Sequence, residues 1–542
     1  MTSSDEIQRG QQQPLAKVLT PSRAIVDELV QTLKLALPMM LTQLGQIAMM
    51  TTDIAMIGRL GPEAVGAAAL AHTVYFVAFT FGMGLVSAVA PVAAQAFGAG
   101  NPRQMRRAVR AGLWIALLVS LPLMVSPLYG ERILVSLGQA RDAAALAQTY
   151  LYGLAWGIAP ALGFIALRGV MGAFNRPQPA LWITFAAIPA NAALVYVLIH
   201  GLFGMPRLGL FGAGLATTIV NFASLIAALG VLLVASPFAG HRLLAQPQRI
   251  DPPVLRELIA IGAPISFALL MEYGLFCSAA LLMGLIGTSA LAAHQVALQV
   301  TAILFMVPLG IGMAATVRVG HAFSRGDPAG ARRAGWSAAL LGSGLVAALT
   351  VAILIARYSI GELFFGPTEA SRPVIELTAT LLLIGATFFI PDGLQSIVGG
   401  ALRGINDTRV TLVCAAIGYW GVGFPTAWLL AFGARIGAPG VWMGLSLGSL
   451  VYAALLIVRF DLLTRRLAVA PVSLAAGLVS RRRWTLRPIR RGAGRGPAGS
   501  GASDPARSQA RKNVRPRRPA TAASARRAGP RRSVHGNCPA RH

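Results

Sequence analysis

Apolar runs of about twenty residues recur from end to end of this chain, and this pattern decides most of what the chain can become. A helix rises about 1.5 Å per residue, so each run is long enough to cross a hydrocarbon core of about 30 Å. Within that core a backbone finds no water to bond, so only helices and closed barrels span it. A barrel strand reads as roughly ten alternating residues, whereas these runs are continuously apolar, which selects helices. The pattern predicts spans over 33–57, 67–92, 109–128, 145–168, 180–202, 211–236, 258–283, 290–316, 335–356, 374–397, 409–431 and 440–462. Composition agrees, because only 12% of the 542 residues are charged, against roughly a quarter in a soluble domain. The expected fold class is all-α, a polytopic membrane protein of about twelve transmembrane helices.

The net charge of +28 does not imply a nucleic-acid partner. Residues 481–542 alone hold 18 of the 47 Lys and Arg, with the single acid Asp504. Much of the remaining excess sits in short loops. One side of the predicted topology carries fifteen arginines: 103, 106, 107, 110, 168, 176, 242, 249, 256, 318, 325, 332, 333, 403 and 409. The other side carries seven: 59, 132, 141, 207, 357, 372 and 435. Positive residues stay cytoplasmic, and an even number of spans leaves both termini on that side. The first 30 residues lack the basic-then-apolar order of a cleaved signal peptide. Three cysteines, Cys277, Cys414 and Cys538, show no zinc or haem spacing and no disulfide framework.

The chain repeats itself at a shift of 226 residues, which brings Pro38 onto Pro264, Gly84 onto Gly310 and Pro102 onto Pro328. Arg106-Arg107-Ala108 falls on Arg332-Arg333-Ala334 with no gap. Six helices per half give both copies the same orientation, so the halves are related by an axis along the membrane normal and enclose a central site. The domain organisation expected is a cytoplasmic segment 1–30, a six-helix bundle 31–236, a linker 237–256, a second six-helix bundle 257–462 and a basic tail 463–542. The tail is rich in Arg, Pro, Ala, Gly and Ser, so it is expected to be disordered, with a charge that suits anionic lipid heads.

Only three acids fall well inside predicted spans: Asp53, Glu272 and Asp392. A carboxylate at membrane depth costs at least a few kcal/mol, and no Lys or Arg is placed in a span interior to offset it. What remains is protonation, a bound metal cation, a cationic substrate or an aqueous cavity. A bland alternative is a protonated carboxyl hydrogen-bonded to a neighbouring helix. Asp53 follows Thr51-Thr52. Glu272 lies between Met271 and Tyr273, and Asp392 follows Pro391, which removes a backbone donor. Phe388 and Phe389 lie one turn before Asp392, where aromatic faces suit lipophilic cations or serve ordinary packing. Asn191 and Thr217 could share a polar pocket with Asp53, and Gln295 is a further polar group within a span. His72, His294 and His321 are scattered, and His321 is expected at the headgroups. With no Walker motif, nucleophile–base pair or metal cluster, no enzyme is expected, and ATP is not a direct driver.

Several stretches carry a family resemblance: Thr52-Asp53-Ile54-Ala55-Met56-Ile57-Gly58-Arg59-Leu60-Gly61, Pro91 to Gly100, Ala292-Ala293-His294-Gln295-Val296-Ala297, Arg318-Val319-Gly320-His321, and Gly400-Ala401-Leu402-Arg403-Gly404. Over about 30–460 the chain resembles the multidrug and toxic compound extrusion (MATE) family, in its NorM-type bacterial branch. The resemblance implies a V of two six-helix bundles around a central cavity in the bacterial inner membrane. It implies export of cationic, lipophilic compounds in exchange for inward Na+ or H+, with no other cofactor. Asp53, Glu272 and Asp392 match the family's coupling acids, with Glu272 and Asp392 the expected Na+ ligands. Asn191, Thr217, Tyr273, Gln295 and Phe388 are expected around the substrate cavity. Val195 stands where a second fifth-helix Asn is common, and Phe388 where some relatives have Tyr. The expected partners are the bilayer and small cationic or amphiphilic substrates, with no nucleic acid and a monomeric chain. One rival reading is a lipid-linked precursor flippase, expected to line its cavity with Arg or Lys. Another is a non-transporting receptor or scaffold, in which three unpaired acids would be a cost without return.

Overall fold

The computed structural model describes residues 21–469 except Met205, with side chains from Val26 onward. The expected N-terminal segment therefore falls largely outside the described residues, and so does nearly all of the basic tail. Among the described residues the long helices are α1 (Pro21–Ile57), α2 (Pro62–Gly98), α3 (Pro102–Leu128) and α4 (Arg141–Ala155 continued by Ile158–Ala173). They continue with α5 (Gln178–His200), α6 (Gly209–Val234), α7 (Pro252–Ile286) and α8 (Thr288–Ser324). The last four are α9 (Pro328–Phe365), α10 (Arg372–Gly404), α11 (Thr408–Gly433) and α12 (Ala438–Val469).

Ten of these are long and apolar enough to cross a bilayer, and α4, bent by 47° at its break, makes an eleventh. The remaining helix, α1, has 37 residues, but Thr42, Gln43, Gln46, Thr51, Thr52 and Asp53 dilute its apolar character. It also begins twelve residues before the predicted span. Its early turns are held by an ion pair of Glu28 with Arg318 on α8, a contact no hydropathy window can register.

The repeat is visible in local chemistry. Asn101 caps α3 by accepting from the Gln104 amide at 3.0 Å, and Asp327 caps α9 by accepting from the Gly330 amide at 2.7 Å. A proline follows each cap, where its fixed φ and missing N–H suit a helix start. Gly100 and Gly326 precede the caps at φ of +61° and +73°, a region L side chains avoid.

The halves meet through α1 on α8 and α2 on α7. A Cβ on Gly84 (α2) would lie 2.4 Å from Cα of Ser266 (α7), and one on Gly310 (α8) would lie 2.6 Å from Cα of Met40 (α1). Both members of the first pair shift by 226 onto the second, so one close contact occurs twice. Ser266 Oγ also donates to the Phe81 carbonyl at 2.6 Å. Further contacts lie toward the ends of α2, α8 and α10: Gln95 donates to the Gly404 carbonyl at 2.7 Å, and Asn406 donates to Gln95 at 3.1 Å. These ends belong to the arginine-rich face. At the other end of α7, Leu281 and Leu285 are 72% and 76% exposed.

His321 departs from its expected place at the headgroups. It is buried at the junction of the halves, where its Nε2 lies 2.9 Å from the Ala173 carbonyl and its ring packs 5.2 Å from Phe97. Helices of both halves cover this end of α8, so proximity to a helix terminus does not mean exposure.

Candidate transport site

In the first half, α1, α5 and α6 bring Asp53, Asn191 and Thr217 together. Asp53 is 5% exposed and Asn191 is fully buried. One carboxylate oxygen accepts a hydrogen bond from Asn191 Nδ2, and the other accepts from Thr217 Oγ1 at 3.2 Å. Thr217 also reaches the Ala213 carbonyl at 3.3 Å, one turn back along α6. The donors suit an ionised carboxylate, which accepts at both oxygens. Asn191 Oδ1 has no hydrogen-bond partner among the described residues, which leaves an acceptor beside the carboxylate.

In the second half, Gln395 links two acids on different helices. Its amide donates to Asp392 at 3.3 Å within α10, and lies 3.5 Å from Glu272 on α7. Asp392 is 3% exposed and Glu272 is half-buried. Tyr419 (α11) and Tyr452 (α12) pack edge-on, with ring centroids 5.0 Å apart. The Tyr419 hydroxyl is buried and has no partner among the described residues. It lies in Ala416–Gly423, an eight-residue π-helical stretch of α11, a winding that recurs at functional sites.

One arginine corrects the expectation that span interiors hold no base. Arg168 lies within α4, is 7% exposed and donates to Gln43 of α1 at 2.7 Å. Arg403 lies within the last turn of α10 and folds back, donating to the carbonyls of Gly399 at 3.3 Å and Ser396 at 3.4 Å. Counting Arg403 with the loops misses it, because its long side chain carries the charge inward from its backbone position. Gln395, one turn after Asp392, was readable as its helical neighbour.

The other expected residues disperse. Phe388 is 1% exposed and packs among Phe276, Phe389 and Trp442 at centroid distances of 5.9–6.4 Å. Tyr273 lies at the junction of the halves, 5.1 Å from Phe76. Gln295 is exposed on α8. Neighbouring His294 is buried, its Nδ1 accepting from Trp442 Nε1 at 3.1 Å. No group of three or more His, Cys, Asp or Glu forms a metal cluster among the described residues.

The MatE family profile matches residues 38–197 and 264–429, more than half of the chain, and its two copies begin 226 residues apart. The chain belongs to the MatE family. It is 69% identical over 467 residues to a probable multidrug resistance protein NorM of Bradyrhizobium diazoefficiens, covering 86% of this chain and all of the relative. A protein of the same name from Rhodopseudomonas palustris is 56% identical, over 84% of this chain and 97% of that one. Among solved structures, the eukaryotic MATE transporter AtDTX14 superposes with a TM-score of 0.73 at 24% identity, covering 84% of this chain and 99% of that one. An outward-facing multidrug resistance MATE family transporter gives 0.75 at 18% identity, over 82% and 97%. These likenesses show the fold. The MatE chain is thus a multi-pass membrane transporter built from two homologous halves, and not an enzyme.

Proposed function

We propose that this MatE transporter exports lipophilic cations across the bacterial inner membrane, in exchange for inward movement of Na+ or H+, with both termini in the cytoplasm. The observation that carries the reading is the Glu272–Gln395–Asp392 cluster, two acids at membrane depth sharing one donor. Like charges so placed repel, and a cation or proton relieves the repulsion. Asp53 with Asn191 and Thr217 forms a second proton or cation site.

The repeat duplicates the scaffold and not this chemistry. Under the 226-residue shift Asp53 falls on Ala279 and Glu272 on Gln46. Two different sites on two similar bundles let a coupling ion and a substrate bias the same rocking equilibrium from different halves. Such a bias requires only that each ligand bind the two conformations unequally. The transporter works as a monomer, with no nucleic-acid partner.

Efflux of a fluorescent cationic dye from proteoliposomes, under an imposed Na+ gradient or pH gradient in turn, tests the proposal. Efflux driven by Na+ alone makes Glu272 and Asp392 a metal-ion site. Efflux driven by protons alone makes these acids, or Asp53, a proton relay. Dye movement that ignores both gradients overturns the reading.

A further inference from the structure

A cavity of about 520 Å3 opens on the arginine-rich face between the start of α3 and the connection that joins the halves. Arg103, Arg106, Arg107, Arg110 and Arg249 line it, with Asp251 as the one acid. Five guanidiniums around one carboxylate leave a strong positive excess. Asp251 is shared, meeting Arg110 at 2.7 Å and Arg107 at 3.4 Å. Arg110 is 8% exposed and spends its two terminal nitrogens on Asp251 and on the carbonyls of Ala245 and Gln246. Its Nε has no hydrogen-bond partner among the described residues. A buried, unpartnered guanidinium nitrogen within a surplus of cations suits an anionic ligand.

The fold does not require these arginines. In the second half the same positions, shifted by 226, hold Ala329 for Arg103 and Trp336 for Arg110. There, Arg332 and Arg333 have acids of their own, Asp461 at 2.7 Å and Asp327 at 3.9 Å. The first half alone has gathered the excess.

The geometry also selects the anion's source. Arg103, Arg107, Arg110, Trp114, Leu117 and Leu121 follow at steps of four and three, so they form one stripe along α3. The stripe changes from guanidinium to indole to aliphatic. Trp114 donates to the Pro247 carbonyl at 3.0 Å, as an interfacial tryptophan would at headgroup depth. Beyond it Leu117, Leu121 and neighbouring Val125 are 47%, 59% and 51% exposed, an outward apolar rail on a spanning helix. A free phosphate would use only the cavity. A phospholipid would use the cavity for its phosphate and the rail for an acyl chain.

We propose that this cleft is a binding site for an anionic phospholipid of the cytoplasmic leaflet, whose phosphate bridges α3 to the connection between the halves. The site is independent of the acids assigned to coupling.

The test uses the purified full chain, with bound phosphatidylglycerol and phosphatidylcholine counted by native mass spectrometry. Arg103→Gln, Arg107→Gln and Arg249→Gln together should lower phosphatidylglycerol retention by at least about tenfold, since each removes a basic residue that attracts anionic headgroups. The charge-matched set Arg325→Gln, Arg333→Gln and Arg465→Gln in the second half should leave retention unchanged. Leu117→Gln with Leu121→Gln should also weaken retention while leaving every arginine in place, which covers the case of a triple variant that folds poorly. Equal loss in both charge sets would reduce the effect to general attraction and overturn the site. Binding of inorganic phosphate at the cleft with no preference for phosphatidylglycerol would overturn the lipid assignment.

Discussion

Replacing Gly84 by alanine should push the two halves apart on the arginine-rich face. The added Cβ would lie 2.4 Å from Ser266 Cα and 2.6 Å from Ser266 N, all of it backbone that cannot rotate away. Non-bonded carbons sit at about 3.5–4.0 Å, so α2 and α7 must separate locally by roughly 1.1–1.6 Å. Overpacking of this kind costs about 1–3 kcal/mol. If only the arginine-side-closed conformation bears that cost, its population relative to the opened one falls by about 5- to 150-fold. Spin labels at Arg176 and Arg409, both exposed on that face, would report the change as a longer pulsed-resonance distance in a background without Cys277, Cys414 and Cys538. Gly310→Ala, whose Cβ meets Met40 Cα at 2.6 Å, should give the same shift. Gly284→Ala, with nothing within 4 Å, should give none. An unchanged distance distribution in both Gly84→Ala and Gly310→Ala would refute the reasoning that these glycines hold the halves together.

Asp392→Asn should abolish gradient-driven dye efflux while the protein still inserts and purifies as wild type, and normal efflux by that variant would sink the ion-site assignment. Gln395→Leu removes the donor facing both acids, so the coupling-ion concentration for half-maximal efflux should change several-fold in a gradient titration. Asp53→Asn swaps an acceptor for a donor facing Asn191 or Thr217, so efflux should fall with little loss of melting temperature, because the fold keeps a polar group there. Trp442→Phe leaves the buried His294 Nδ1 without its donor and should cost about 1–3 kcal/mol, read as a lower melting temperature in detergent.

Helix number, the repeat and the three deep acids were legible because each is local in the chain. Hydrophobicity over twenty residues marks a span whatever surrounds it, and an acid within a span is visible by its cost. The gathering of Asn191 and Thr217 about Asp53 was readable only as a possibility, since register between helices is set by packing. Other features depended on the third dimension. Arg403 reads as a loop residue until its side chain is seen to fold back along α10. His321 reads as a headgroup residue until α2 and α4 are seen to cover it. The helix α1 begins early because Glu28 finds Arg318, and a hydropathy window rewards only apolar neighbours. The clefts that accept Gly84 and Gly310 are equally silent, since a glycine in a helix looks alike whether it faces lipid or another backbone.

The doubled contact of Gly84 on Ser266 and Gly310 on Met40 has the form of an isologous dimer interface, in which residue i meets j and j meets i about a two-fold axis. Here both partners lie on one chain. A single half carries the donor surface and the receiving surface together, so it is self-complementary before any fusion. With both copies on one chain, the contact is intramolecular and independent of concentration. It also leaves each copy free to differ: Ser266 makes a hydrogen bond to Phe81 that Met40 cannot make. The arginine cleft and the two unlike acid clusters are changes of the same kind, open to a fused pair and closed to a true homodimer.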